Sequence, residues 1–237
     1  MPEAVIVAAT RSPIGRAFKG SLKDVRPDDL AAAVVRAALD SVPGLAGSDL
    51  DDLYLGCAEP WGEQGSNLAR VVAVLLGLDT LPGATVNRFC SSSVQTTRMA
   101  FHAIKAGEGE AFISAGVECV SRYVTVNGSG RGADDWLNPV FGPARERTLA
   151  TAASNAVWTD PRADGLLPDA YIAMGKTAEN VAGSRGVSRQ AQDEWAVESQ
   201  NRAERARASG FFAWEITPIT LPDGRVITDD DSPRAGC

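Results

Sequence analysis

The residue of this chain best placed to do chemistry is Cys90. The run Thr85-Val86-Asn87-Arg88-Phe89-Cys90-Ser91-Ser92-Ser93 reads as a strand end, a turn and a helix start, with the cysteine at the turn. A helix N-terminus offers unpaired N–H groups and positive potential, and both favour thiolate over thiol. The same N–H groups can hold an oxyanion. Together they suit covalent acyl transfer through a thioester. The pattern also suits a small buried cysteine whose neighbouring serines cap the helix. A nucleophilic cysteine needs a base, and the chain holds one histidine, His102. At about 1.5 Å rise per residue, His102 stands about 18 Å further along the same expected helix. It therefore cannot activate Cys90 directly, and a base has to come from outside these residues.

The remaining cysteines lie at 57, 119 and 237. None has C-x-x-C spacing, and a lone histidine cannot complete a Cys/His zinc set. No metal site is expected. Four cysteines in 237 residues are too few for a disulfide scaffold. A hydrophobic content of 44% with 22% charged residues supports a packed core. The net charge of −7 argues against a nucleic-acid or anionic-membrane partner. Met1-Pro2-Glu3 and the short apolar run behind it lack the basic start and apolar length of a signal peptide. Val71–Leu78 falls far below the roughly 20 residues of a membrane span. The expected setting is cytoplasmic and reducing.

The elements that must position Cys90 alternate between strand and helix. Ala4–Ala8 reads as a strand buried on both faces. Pro27-Asp28-Asp29 opens a helix that Pro43-Gly44 ends. Leu53–Ala58, Ala84–Val86 and Ala111–Ala115 read as strands. A helix over Asn67–Leu76 shows Leu68, Val71, Val72 and Leu75 on one face. A helix over Ser91–Lys105 carries Val94, Phe101 and Ile104 near one stripe and ends at Gly107. This alternation indicates an α/β layer with a mostly parallel sheet. Residues 123–170 show no period and are either a long excursion or a small separate domain. Order returns with a helix over Met174–Ser184 and a longer amphipathic one from the Ser188 cap to Ala208. A hairpin then turns at Pro222-Asp223-Gly224, and Asp229-Asp230-Asp231 begins a solvated loop.

Val86–Ser93 resembles the nucleophile motif of the thiolases, which make or cleave 3-ketoacyl-CoA. Other stretches match the family in the same order: Arg11–Gly15, Gly62–Arg70, Ser114–Ser121, Met174–Ala182 and Ser188–Asp193. The resemblance runs from Val5 to Gly236. It implies a layered α/β core half over 1–121 with an inserted loop domain over 122–237 that holds coenzyme A. That domain would be incomplete at its C-terminus, and the second core half would be absent. It implies that Cys90 is acylated by acyl-CoA, with thiolysis or Claisen condensation following. Coenzyme A thioesters are then the substrates, with no covalently bound cofactor. Met174 matches a residue lining the acyl and pantetheine region, and Arg234 one that meets the adenine-nucleotide end. A homodimer or homotetramer is implied.

Three departures stand out. Ser93 replaces a usual glycine and would crowd the helix start. Ala173 replaces the histidine of biosynthetic members, which favours the degradative 3-ketoacyl type and so β-oxidation of fatty acids. The family's catalytic Asn, His and second Cys belong to its second half, and Cys237 stands where Thr or Ser is usual. The alternative is a truncated, non-catalytic thiolase-like protein that binds CoA or pairs with a separate second half. An unrelated hydrolase using Cys90 and His102 is opposed by their helical spacing.

Overall fold

The computed structural model describes residues 2–122, 137–154 (backbone alone at 152–154), 158–234 and 236. The chain divides into two compact units. One is Met1–Gly130 with Ala206–Pro233; the other is Arg131–Arg205 with Arg234–Cys237.

In the first unit, Pro27 begins helix α1 (Pro27–Asp40), with Asp28 and Asp29 in its first turn as the sequence suggests. Strand β1 (Asp52–Gly56), helix α2 (Leu68–Leu75), strand β2 (Gly83–Val86), helix α3 (Ser92–Ala106) and strand β3 (Phe112–Gly116) follow. The three strands are parallel in the order β2-β1-β3. Alternation along the strands sends the two faces to different partners. Leu53, Leu55 and Cys57 join Ala31 and Val35 of α1 and Leu68 and Val72 of α2 in one apolar cluster. On the opposite face, α3 packs on β1 and β3. This α/β/α layering places the C-terminal strand ends, and the turn after β2, along one edge.

Three expected faces differ. Val5–Val7 form no strand among the described residues, and Ile6 is 80% exposed. An apolar β-branched run reports a tendency to be covered, and no described strand pairs with this one. On α2 the buried residues are Leu68, Ala69, Val72 and Ala73, while Leu75 is exposed. On α3 the buried residues are Ser92, Thr96 and Ala103, while Val94 is 72% exposed. Small polar groups face the sheet there: Thr96 and Thr97 each share a 2.9 Å hydrogen bond with the Ser114 hydroxyl.

The expected hairpin is present as β4 (Ile219–Thr220) and β5 (Val226–Ile227), antiparallel. It belongs to the first unit. Ile219 and Leu221 pack with Leu22, against Val25 and Leu30. Of the three aspartates after the hairpin, Asp229 is exposed, whereas Asp230 and Asp231 are partly buried partners and not part of a solvated run. Asp230 pairs with Arg11 at 2.7 Å, and Asp231 accepts the Arg16 and Ser21 N–H groups at 2.9 and 2.8 Å.

The second unit carries helix α4 (Gly142–Ser154), helix α5 (Met174–Arg185) and most of helix α6 (Arg189–Ala208). Ser188 caps α6, its hydroxyl accepting the Ala191 N–H at 3.1 Å. No residue of α5 or α6 is buried. No helix among the described residues is long and apolar enough to cross a membrane.

Candidate active site

β2 runs out at Val86, and the chain turns through Asn87, Arg88, Phe89 and Cys90 into α3. Phe89–Ser91 form a 3-10 turn joined directly to that helix. Phe89 has φ +48°, in the left-handed region that bulky residues rarely adopt. Side-chain hydrogen bonds flank it on both sides. The Asn87 Oδ1 accepts the Phe89 N–H at 2.9 Å. The Ser92 hydroxyl donates to the Phe89 carbonyl at 2.6 Å and accepts the Arg88 N–H at 2.9 Å. Asn87 also donates through Nδ2 to the Ala58 carbonyl beyond β1, at 3.1 Å. The product of this arrangement is an exposed Cys90 just ahead of α3.

Ser93 lies in the first turn of α3. Gly56 and Gly116 face each other in register on β1 and β3. A Cβ on Gly56 would come within 2.7 Å of the Ser92 carbonyl carbon and the Ser93 nitrogen, and one on Gly116 would collide with the Ser93 hydroxyl. The two glycines leave a notch in the sheet, and Ser92-Ser93 occupy it.

The neighbouring strand ends hold thiols of another kind. Cys57 follows β1 and is buried. Burial pushes its thiol up to about 12, with the Glu118 carboxylate adding to the effect. Cys119, beyond β3, is likewise pushed up to about 12 by burial and then by Glu118. Gln64, fully buried, links these ends. Its Nε2 donates to the Glu59 carbonyl at 2.7 Å and to Glu118 at 2.8 Å, and its Oε1 accepts the Cys119 N–H at 2.6 Å. Glu118 accepts the Ala58 N–H at 2.7 Å.

On the far side of β2, Asn67 (φ +53°) stitches the Gly62–Arg70 segment to the strand. Its Nδ2 donates to the Gly83 carbonyl at 2.8 Å, and its Oδ1 accepts the Thr85 N–H at 3.1 Å. An open cleft of about 400 Å³ lies beside it, lined by Gln64, Ser66, Asn67 and Thr85 among others.

His102 lies well along α3, exposed, with its ring edge-on to Phe101. That agrees with its exclusion as the base. Met174 and Arg234 belong to the second unit. Met174 opens α5 and is 65% exposed. Arg234 is exposed, and its backbone N–H donates to the Gln200 side chain at 3.0 Å. Cys237 lies outside the described residues. Among the described residues no cluster of His, Cys, Asp and Glu could hold a metal ion. Residue types and spacing alone assign no role to Asn87, Gln64 or Glu118. An Asn two residues before a left-handed turn residue is a readable signal of a side chain capping its own turn. A buried glutamine carries no such signal.

The family model described as "Thiolase, N-terminal domain" matches residues 4–237. A beta-ketoadipyl-CoA thiolase of Acinetobacter baylyi is 39% identical over 240 aligned positions, covering 99% of this chain and 57% of the relative. A 3-ketoacyl-CoA thiolase of Bacillus subtilis is 40% identical over 222 positions, covering 93% of this chain and 50% of the relative. The crystal structure of the Bacillus anthracis acetyl-CoA acetyltransferase superposes with a TM-score of 0.75 at 32% identity, over 98% of this chain and 55% of that one. The chain thus spans about half the length of the curated relatives it matches. With a layered parallel sheet, an exposed cysteine at the turn into α3, and these matches along its whole length, the chain belongs to the thiolase family.

Proposed function

We propose that this chain supplies the nucleophile of a thiolase-type acyl-CoA acyltransferase. The observation that carries the proposal is the contrast between Cys90, exposed at the turn into α3, and the thiols of Cys57, which is buried, and Cys119, which is partly buried. In the step assigned to Cys90, its thiolate attacks the C3 carbonyl of a 3-ketoacyl-CoA. The bond between C2 and C3 breaks, the acyl group remains on Cys90 as a thioester, and acetyl-CoA leaves after taking a proton at C2. The thiolate of a second CoA then attacks the acyl carbonyl and frees Cys90. The acid and base are assigned to the family's second half, outside these 237 residues. The Cys90 N–H, at the positive end of α3, is a donor for the oxyanion.

Coenzyme A thioesters are the proposed substrates, without a prosthetic group. The loop domain expected over 122–237 is assigned to hold coenzyme A, with Met174 toward the acyl and pantetheine portion and Arg234 toward the nucleotide. An exposed, permanently charged guanidinium suits that last task. Thiolytic cleavage is the favoured direction, supported by Ala173 before Met174 and by relatives whose names are those of thiolases. A homodimer or homotetramer in the cytoplasm completes the reading. Free thiols at Cys57, Cys90 and Cys119 suit a reducing compartment.

With the family's second half supplied as a separate chain, incubation with acetyl-CoA followed by peptide mass spectrometry tests this. The acetyl group should sit on Cys90 and vanish in Cys90→Ala. Acetyl groups confined to other residues, or surviving unchanged in that variant, would refute the assignment.

A further inference from the structure

We infer that Asn87 is a positioning residue for Cys90: it holds Phe89 in the left-handed conformation that presents the thiol at the start of α3, with Ser92 as the second clamp. The inference rests on the reading of Cys90 as nucleophile. Phe89 is 67% exposed, so burial of its ring does not explain its conformation. A bulky residue in this region is strained unless its surroundings impose it. Here hydrogen bonds impose it on both sides of the residue. The N–H goes to Asn87 Oδ1 at 2.9 Å, and the carbonyl receives the Ser92 hydroxyl at 2.6 Å. Asn87 is the only one of the two clamps tied to the neighbouring strand end, through its 3.1 Å bond to the Ala58 carbonyl.

That anchor is itself fixed. The Ala58 N–H meets Glu118 at 2.7 Å, and Glu118 is held by fully buried Gln64 at 2.8 Å. The Cys57 N–H also donates to the Val86 carbonyl at 3.0 Å, so the two strand ends are locked immediately before the turn. Motion of Phe89 out of the left-handed region would carry the Cys90 N–H and thiol with it. Such a change affects acyl transfer, which needs the thiol and an oxyanion donor in register. It affects alkylation much less, since that needs only an accessible thiolate.

The test compares these two reactions at Cys90 with the family's second half supplied as a separate chain, read by peptide mass spectrometry. The reagents are acetyl-CoA for acylation and iodoacetamide for alkylation. Asn87→Ala should slow acylation of Cys90 by about tenfold or more and alkylation by less than about threefold, as expected when the loss is one of register. Adding Phe89→Gly should restore acylation, because glycine adopts positive φ without a clamp. Ser92→Ala should slow acylation by a similar factor, and it reads the same clamp should Asn87→Ala fail to fold. Unchanged acylation in a folded Asn87→Ala or Ser92→Ala chain, or failure of Phe89→Gly to rescue, overturns the inference while leaving Cys90 as nucleophile. Absence of acylation in the unaltered chain overturns both.

Discussion

Three adjacent parallel strands each lead into a cysteine, and the ends of β1 and β3 treat theirs differently from the end of β2. Beyond β1 and β3 the chain closes over Cys57 and Cys119, where burial and Glu118 hold both thiols protonated up to about pH 12. Beyond β2 the chain turns outward through Phe89 at φ +48° and leaves Cys90 exposed. The sheet supplies the same edge to all three. What differs is the exit: a buried glutamine and a carboxylate close two ends, while two hydrogen-bonded clamps open the third. Reactivity here is decided by the first few residues after a strand.

The largest expected effect breaks that contrast outright. In a Cys237→Ala background, Cys90→Ala should abolish the fast phase of thiol titration with a disulfide reagent at pH 7, and Cys57→Ala should leave it intact. A thiol at about 12 keeps about one part in 10⁵ as thiolate at pH 7. Labelling of Cys57 and Cys119 should therefore trail Cys90 by at least about 10²-fold. Next comes the notch that seats the helix start. Gly116→Ala should lower stability by about 1–3 kcal/mol in urea melts, the usual cost of overpacking, and Ser93→Gly should recover most of it. Glu118→Gln should then sharpen the contrast from the other side. Removing the charge lowers the Cys57 and Cys119 thiols, so their labelling should accelerate severalfold with Cys90 unchanged.

The smallest effect concerns pH. The Cys57 and Cys119 thiols are both raised above the ordinary value near 9 toward about 12, so the unfolded chain releases these protons first. Their contribution to stability is complete below pH about 9 and is lost as pH rises toward about 12. Urea midpoints across that window should fall less steeply in Cys57→Ala than in the unaltered chain.

Much of this was legible in the sequence. Pro27 with two acids behind it, Gly107 after α3 and Ser188 before α6 mark helix ends through local backbone chemistry, and those elements stand where the residues place them. The strand, turn and helix around Cys90 also follow from local signals. Buried faces were less legible, because they depend on what an element packs against. Val94 and Phe101 look like a core stripe, yet α3 meets the sheet through Ser92 and Thr96. Asp230 looks solvated, yet it lies against Arg11, more than two hundred residues away in sequence. Helix α4 has no apolar period to reveal it. Within the site, the cysteine announced itself, whereas the Asn87 clamp and the Gln64–Glu118 link appear only once the strand ends are side by side.

The most direct test of the central claim is site-resolved alkylation with and without acetyl-CoA. Without it, iodoacetamide at neutral pH should modify Cys90 well before Cys57 or Cys119. With the family's second half supplied as a separate chain, prior incubation with acetyl-CoA should protect Cys90 among the three, and hydroxylamine, which cleaves thioesters, should restore its labelling. Equal labelling of the three cysteines, or labelling of Cys90 indifferent to acetyl-CoA, would contradict the assignment of Cys90 as the acyl-carrying nucleophile.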